Sequence, residues 1–309
     1  MENVGIVCFA SCYAIALALE VFRLRAGLSQ SGGAFWRTIE IGVVGLGLYA
    51  HSAYIYYRAV SVERLPLSSP QDWLLVAAWT LCAIALAFVS TYREKNLGLV
   101  LLPPVLGVII LASFLPNDKI YAMASPSRMW GALHGGSMLL AAVATLFGFL
   151  AGGLYLRQAR CLKNPRCGAF AHGKSWIKMP SLEWLYNVGR IATKFTATML
   201  GLGVLSGFVL NQMNPQNLGL WSDWTVWGTI LLFLWFVISL TIGFFWRRAQ
   251  GGDLVAYRTI ASFVALCVLF GIVIFSEHRH RQTWDAHEGE KNLPEVEYSD
   301  EAQRPGGGL

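Results

Sequence analysis

Charged side chains are scarce in this sequence. Asp, Glu, Lys and Arg together make up 14% of its 309 residues, whereas hydrophobic types make up 55%. A soluble core of this length does not need so apolar a composition, so the scarcity of charge argues against an ordinary globular domain and predicts an integral membrane protein. The net charge of +6 comes mainly from loop residues, and we infer no nucleic-acid partner from it.

Cysteine motifs with a known chemistry are also missing. The sequence has no Cys-x-x-Cys pair and no Cys-x-x-Cys-His, which excludes a thioredoxin-type redox pair and covalently attached c-type haem. Cys161 and Cys167 share one loop, but their spacing does not fit a zinc knuckle. We therefore predict neither thiol chemistry nor a structural zinc site.

Two further absences concern the architecture. No basic segment precedes the first apolar run, which has Glu2 before it and Arg23 and Arg25 after it. We therefore predict a retained membrane helix rather than a cleaved signal peptide. The sequence also has no evident internal repeat, so it does not support an inverted-repeat transporter.

The apolar runs predict an all-α integral membrane protein, a bundle of about eight transmembrane helices. Runs long enough to cross about 30 Å of hydrocarbon lie at roughly 3–22, 38–58, 72–91, 97–115, 129–156, 192–211, 225–245 and 256–276. Residues 1–280 would form one polytopic domain. The polar tail, 281–309, cannot bury enough apolar surface to fold alone, so we predict that it is disordered.

The basic residues determine the expected orientation. The segment 157–194 carries eight Lys and Arg residues against one acidic residue, Glu183. Cytoplasmic loops retain Lys and Arg during membrane insertion, so the loop 157–193 is predicted to be cytoplasmic. With eight spans, both termini then lie outside.

A cluster of tryptophans lies in the connection between the sixth and seventh spans. Trp221, Trp224 and Trp227, with Asp223 among them, occupy a stretch free of Lys and Arg that this topology puts outside. Aromatic planes at one face of a bilayer can hold a flat apolar ligand. Tryptophans of the ordinary aromatic belt at a membrane interface are the alternative interpretation.

Three histidines accompany these tryptophans. His134 and His278 are predicted at outer helix ends, and His51 lies deeper, near mid-membrane. Imidazole is a common iron ligand, and a polar group inside a span is costly unless it is used or well paired. Hydration, or a hydrogen bond to a neighbouring helix, would also account for each of them. Gly135 and Gly136 would let a planar ligand or a neighbouring helix approach His134 closely.

The order of several motifs resembles the cytochrome c assembly membrane family, the CcsA/ResC-type haem-handling proteins of the system II pathway. A histidine, here His134, opens a span that ends in Gly152-Gly-Leu-Tyr-Leu-Arg-Gln-Ala-Arg-Cys-Leu-Lys163. Pro180-Ser-Leu-Glu183 leads into the next span, a tryptophan-rich loop follows, and the final span closes on His278. The earlier segment Leu65-Pro-Leu-Ser-Ser-Pro-Gln-Asp-Trp73 is also similar to the family. The chain most resembles the shorter HemX-like branch.

The resemblance implies a haem-binding role for a definite set of residues. It implies that His134 and His278 are axial ligands of haem b at the outer face, and that His51 helps to bind haem deeper in the bilayer. The platform beneath the porphyrin would comprise Trp221, Trp224 and Trp227, with Asp223 as its acidic residue.

The resemblance also implies a cellular setting. We expect a bacterial inner (plasma) membrane protein that binds or passes haem during c-type cytochrome biogenesis. Its partner would be the membrane protein that completes the system II synthetase, with apocytochrome c reached indirectly. It is expected to be a non-catalytic component more than an enzyme, because ligation of haem needs mainly positioning.

The chain departs from the family at two points. Ser222 aligns with the family's aspartate in the tryptophan motif, with Asp223 one position later, and the Pro-Lys that should follow is missing. A second intramembrane histidine is expected near the inner end of span seven, where this chain reads Phe244-Phe-Trp-Arg-Arg248. These losses favour an accessory protein over a complete synthetase.

Two other functions stay open at this point, besides a purely structural scaffold in which all the tryptophans are belt residues. A HemX-like regulator of tetrapyrrole synthesis would use the basic cytoplasmic loop as its docking surface. A solute or proton transporter would use His51 with Glu20 or Glu40. Both glutamates are predicted near inner helix ends beside Arg23 and Arg37, where snorkelling and ion pairing are the simpler account.

Overall fold

The computed structural model describes residues 5–26, 33–61, 69–92, 97–115, 127–163, 180–213, 224–245 and 251–291. Within these residues the chain is all-helical, with eight α-helices and no β-strand. The helices are α1 (Ile6–Arg25), α2 (Gly33–Ser61), α3 (Pro70–Thr91), α4 (Gly98–Ser113), α5 (Ser127–Lys163), α6 (Leu182–Gln212), α7 (Trp224–Phe245) and α8 (Gly252–Lys291). The predicted helical class is confirmed.

Five of these helices are long and apolar enough to cross a membrane. The qualifying stretches are Ile6–Arg25, Pro70–Thr91, Met129–Lys163, Leu182–Gln212 and Gly252–Gly271. Gly98–Ser113 and Val226–Ile242 are apolar but shorter. Helix α2 has 29 residues, but Arg37, Glu40, His51 and Arg58 make it more polar. Length and composition thus support a multi-pass membrane protein.

Helices α1 and α2 form a closely packed antiparallel pair. Phe9 lies beside His51, Tyr13 beside Gly47 and Glu20 beside Glu40. The residue numbers of each pair add to the same sum, as expected for two antiparallel helices in one fixed register. A Cβ atom at position 47 would lie 2.7 Å from Cε1 of Tyr13. The absence of a side chain at this position therefore lets the tyrosine ring contact the α2 backbone.

A core of apolar side chains joins α1 and α2 to the helices that follow. Its buried members include Phe9, Tyr13, Val44, Leu75, Leu81, Leu102, Val105, Ile109, Leu139 and Val143. Helices α3 and α4 contribute half of these residues, and α5 contributes the last two. The indole Nε1 of Trp79 donates a hydrogen bond to Oγ of Ser52, 2.8 Å away, which connects α3 to α2.

Helices α5 and α6 form a second antiparallel pair, with small residues along the contact. Thr145 lies opposite Thr196, with 3.4 Å between their hydroxyl oxygens, and Gly148 lies opposite Ala192. Gly152 contacts Thr259, so α8 packs against α5. Small side chains let helix backbones approach closely, which is how membrane helices gain packing energy in an apolar solvent.

The connection between α5 and α6 is shorter than the predicted loop of 157–193. Helix α5 continues to Lys163 and α6 begins at Leu182. The hydroxyl of Ser181 caps α6 by accepting a hydrogen bond from the backbone N–H of Trp184, at 3.3 Å. The predicted boundaries were wrong because hydropathy marks only the apolar part of a helix, whereas a capped helix can begin in a polar segment.

Helix α8 likewise extends beyond its predicted end. It continues to Lys291, so residues 281–291 are helical. No proline occurs in this stretch before Pro294, and proline is the residue that most strongly stops a helix. Residues 292–309 lie outside the described part of the chain. The chain divides into two compact units, Met1–Leu266 and Cys267–Leu309.

Neighbouring glycines in α5 predict opposite responses to substitution. A Cβ atom at position 135 would overlap the indole ring of Trp73 on α3, whereas one at position 136 meets no atom within 4 Å. We expect Gly135→Ala to lower the free energy of unfolding by about 1–3 kcal/mol through overpacking. Gly136→Ala should be neutral or slightly stabilising. Thermal unfolding in detergent measures both, and equal shifts would contradict the contact.

Candidate functional site

His134 lies against two glycines of the neighbouring helix. Its Nδ1 atom is 2.8 Å from the carbonyl oxygen of Gly203. A Cβ atom at position 207 would lie 2.9 Å from both Nδ1 and Cε1 of the imidazole. Gly203 and Gly207 are four residues apart and thus lie on the same face of α6. Together they form a shallow seat for the ring, which is partly buried.

The hydrogen bond to Gly203 determines the tautomer of His134. A carbonyl oxygen only accepts, so Nδ1 carries the proton and donates it, while the lone pair of the neutral ring lies on Nε2. Histidines that bind metals usually have this arrangement, in which the second ring nitrogen is held by a carbonyl or carboxylate. His134 is therefore oriented and protonated as a ligand through Nε2 would be.

The tryptophan cluster is described only in part. Gly201 of α6 contacts Phe233 of α7. Because the two helices are antiparallel, moving six residues forward in α6 and six back in α7 places Trp227 level with Gly207. Trp227 is 45% exposed, as expected for an aromatic side chain at the surface of the bundle. Trp224 begins α7, but its side chain lies outside the described residues. Trp221 and Asp223 lie wholly outside them.

His278 belongs to the second compact unit. It lies within the helix α8, in the part of that helix that follows Leu266. Its side chain is outside the described residues. The pairing of His278 with His134 stays a prediction.

His51 lies in a different environment, enclosed in the core. Its side chain is fully buried, and the ring of Phe9 stacks on it at 4.0 Å between centroids. The hydroxyl of Tyr13 is 3.3 Å from Nδ1, and Nε2 has no hydrogen-bond partner among the described residues. Because Nε2 is itself buried, a planar ligand could reach it only if the surrounding side chains moved. His51 thus has a ring nitrogen without a hydrogen-bond partner, but its surroundings leave no room for a porphyrin.

The two described histidines lie at different depths along the bundle. Helix α3 contacts both regions, through Trp73 beside Gly135 and through Trp79 bonded to Ser52. These tryptophans are six residues apart, about 9 Å along the helix axis. His51 and His134 are therefore offset along the bundle, and the two rings do not form one ligand pair.

A charged cluster lies at the end of the helices opposite to His134. Its burial was not predicted from the sequence. It comprises Glu20, Arg23, Arg37 and Glu40, each less than a tenth exposed. The Arg23 guanidinium lies 3.7 Å from Glu20 and 3.6 Å from Glu40. The Arg37 guanidinium donates hydrogen bonds to the carbonyl oxygens of Val89 and Tyr92. The expected ion pairing of the glutamates with Arg23 is thus confirmed. The expectation that these side chains extend towards water was wrong, because they are buried.

Gly98 explains why the carboxylates stay inside. A Cβ atom at this position would overlap Oε2 of Glu20 and lie 2.8 Å from Oε1 of Glu40. The start of α4 therefore covers both carboxylates. The spacing of Glu20 to Arg23 was visible in the sequence as a pair within one helical turn. Burial was not, because it depends on a glycine far along the chain.

The described residues offer a single imidazole rather than a metal site made of several side chains. No group of three His, Cys, Asp or Glu side chains that could hold a metal ion occurs among them. His134 lies at the same end of the bundle as the exposed Trp227. Position 136, two residues after His134, has open space around it. An imidazole of this kind supplies one axial bond to haem iron, and aromatic faces cover the macrocycle.

No family model matches the chain, and no curated protein matches it either.

Proposed function

We propose that this protein binds or passes haem b at the outer face of a bacterial plasma membrane during c-type cytochrome biogenesis. The observation that carries the proposal is the geometry of His134, whose Nδ1 is 2.8 Å from the Gly203 carbonyl oxygen. This bond leaves Nε2 as the basic nitrogen. Histidines that bind a metal usually have their second ring nitrogen held by a carbonyl or carboxylate in this way, which supports the proposal.

The proposed topology has eight spans with both termini outside. Five helices that can cross a membrane support a multi-pass arrangement, and the basic residues between α5 and α6 support a cytoplasmic position for that connection. His134 and Trp227 are then at the outer face. The buried charges of Glu20 and Arg23 are at the inner end, about 24 Å away if measured along α3 from Trp73 to Val89.

The proposed ligand set follows the order of depth. His134 and His278 bind iron at the outer face, and Trp221, Trp224 and Trp227 cover the macrocycle with Asp223 beside them. His51 accepts haem deeper in the membrane after its aromatic neighbours move. The protein acts by holding haem for the partner that completes the system II synthetase, and apocytochrome c is reached through that partner.

Deletion of the gene followed by haem staining of membrane proteins after denaturing electrophoresis tests this function. We expect covalently bound haem to disappear from c-type cytochromes and to return with the wild-type gene. Restoration by a His172→Ala gene serves as a control, because His172 is predicted on the cytoplasmic side. Intact c-type cytochromes with altered levels of tetrapyrrole precursors would instead identify a HemX-like regulator.

A further inference from the structure

A cavity of about 480 Å³ opens between α6, α7 and α8 within the first compact unit. Apolar side chains form part of its wall, among them Leu240, Phe245 and Val255. Three cationic side chains, Arg190, Lys194 and Arg258, line it together with uncharged polar residues. The described lining contains no acidic residue, so the cavity combines an apolar wall with several positive charges.

The three cations differ in how they are held. Arg258 is partly buried and donates a hydrogen bond to the carbonyl oxygen of Ser239, at 2.8 Å, so it joins α8 to α7. Arg190 and Lys194 are exposed. The Arg190 guanidinium lies 5.8 Å from the centre of the Tyr186 ring, and no described carboxylate forms an ion pair with either residue. Two side chains are thus available to an incoming anion beside a third that is fixed.

The cavity lies towards the end of the bundle opposite to His134. Lys194 and Tyr186 precede Gly203 by nine and 17 residues in α6, which corresponds to about 14 and 26 Å along the helix axis. In the proposed topology this is the inner membrane boundary. Cationic pockets between helices at this boundary bind the headgroups of anionic lipids, and the cytoplasmic leaflet supplies those lipids.

We propose that this cavity binds the phosphate-bearing headgroup of an anionic phospholipid, with Arg190 and Lys194 on the phosphate. The apolar wall formed by Leu240 and Phe245 distinguishes this ligand from free phosphate. A lipid places acyl chains along such a wall, whereas an inorganic ion gains nothing from it. The proposal does not depend on haem binding and concerns a different part of the molecule.

Native mass spectrometry of the full-length protein in detergent tests the proposal. Dioleoylphosphatidylglycerol, dioleoylphosphatidylcholine and inorganic phosphate are titrated separately, and the bound adducts are counted. We expect tighter binding of the anionic lipid than of either other ligand. The double variant Arg190→Gln/Lys194→Gln should weaken that binding roughly tenfold or more, since each basic side chain near the surface attracts anionic lipid.

The double variant Arg157→Gln/Arg160→Gln is the matched control. It removes the same charge from exposed positions of α5 that do not line the cavity, so it should leave the tight binding unchanged. The variant Arg190→Lys keeps the charge and should keep most of the binding, which separates loss of charge from misfolding. Equal weakening by both double variants would reduce the effect to general surface charge and overturn the site. Equal binding of inorganic phosphate would overturn the lipid as its ligand.

Discussion

Protein with the substitution His134→Ala is expected to lose the Soret band that haemin gives with the wild type. Its apparent affinity for haemin should fall by more than about 100-fold. Loss of a group that only orients a metal-binding histidine costs about 10–100-fold in affinity, so loss of the ligand itself should cost more. Absorption spectra during haemin titration of detergent-purified protein measure the change.

Two glycine variants separate haem ligation from protein stability. Gly207→Ala would place a methyl group 2.9 Å from the imidazole, so we expect a shifted Soret band and affinity lowered by about 10–100-fold. Gly153→Ala in α5 adds a methyl group where no atom lies within 4 Å and should leave the spectrum unchanged. Wild-type protein that takes up no haemin, or an unchanged band in His134→Ala, would refute His134 as a haem ligand.

The second large effect is expected at the buried charges. Arg23→Met should lower the free energy of unfolding by about 3–5 kcal/mol, because it leaves the carboxylates of Glu20 and Glu40 buried without the arginine that lies within 4 Å of both. Thermal unfolding in detergent should show a large fall in midpoint. Haemin binding by the protein that stays folded should not change, since His134 lies at the other end of the helices.

Arg25 provides the matched control for Arg23. It lies two residues later in the same helix but is exposed, so Arg25→Met should change the free energy of unfolding by less than about 0.5 kcal/mol. Glu40→Gln combined with Arg23→Met should cost less than the sum of the two single substitutions, because the remaining carboxylate then has no charged neighbour of like sign. Similar effects of Arg23→Met and Arg25→Met would show that burial of the cluster does not matter.

Helix positions were largely predictable from the sequence, whereas helix ends were not. The apolar runs predicted eight segments, and each overlaps one of the eight described helices. The pattern failed at Leu182, where a serine cap starts a helix before the apolar run begins. It failed again after residue 281, where helix continues through polar residues. Hydropathy reports the solvent around a segment, and hydrogen bonding determines where the segment stops being helical.

The candidate site shows the same division. His134 stood out because an imidazole near two glycines at a helix end is an unusual combination, and the structure adds the partner of its Nδ1 atom. Gly203 and Gly207 were not recognised, since glycines four residues apart in an apolar helix are common in membrane proteins and do not indicate what they contact. Of the predicted tryptophan platform, only Trp227 has a described side chain, at the same end of the bundle as His134.

The sequence by itself determined the scarcity of charge, the apolar helices and the asymmetric distribution of Lys and Arg, because each is a property of consecutive residues. Only the tertiary structure decided that the acceptor of His134 is the carbonyl of Gly203, and that Phe9 covers His51. It also decided that Gly98 encloses Glu20 and Glu40. These contacts join residues 42 to 78 positions apart along the chain, and their geometry depends on how whole helices pack against each other.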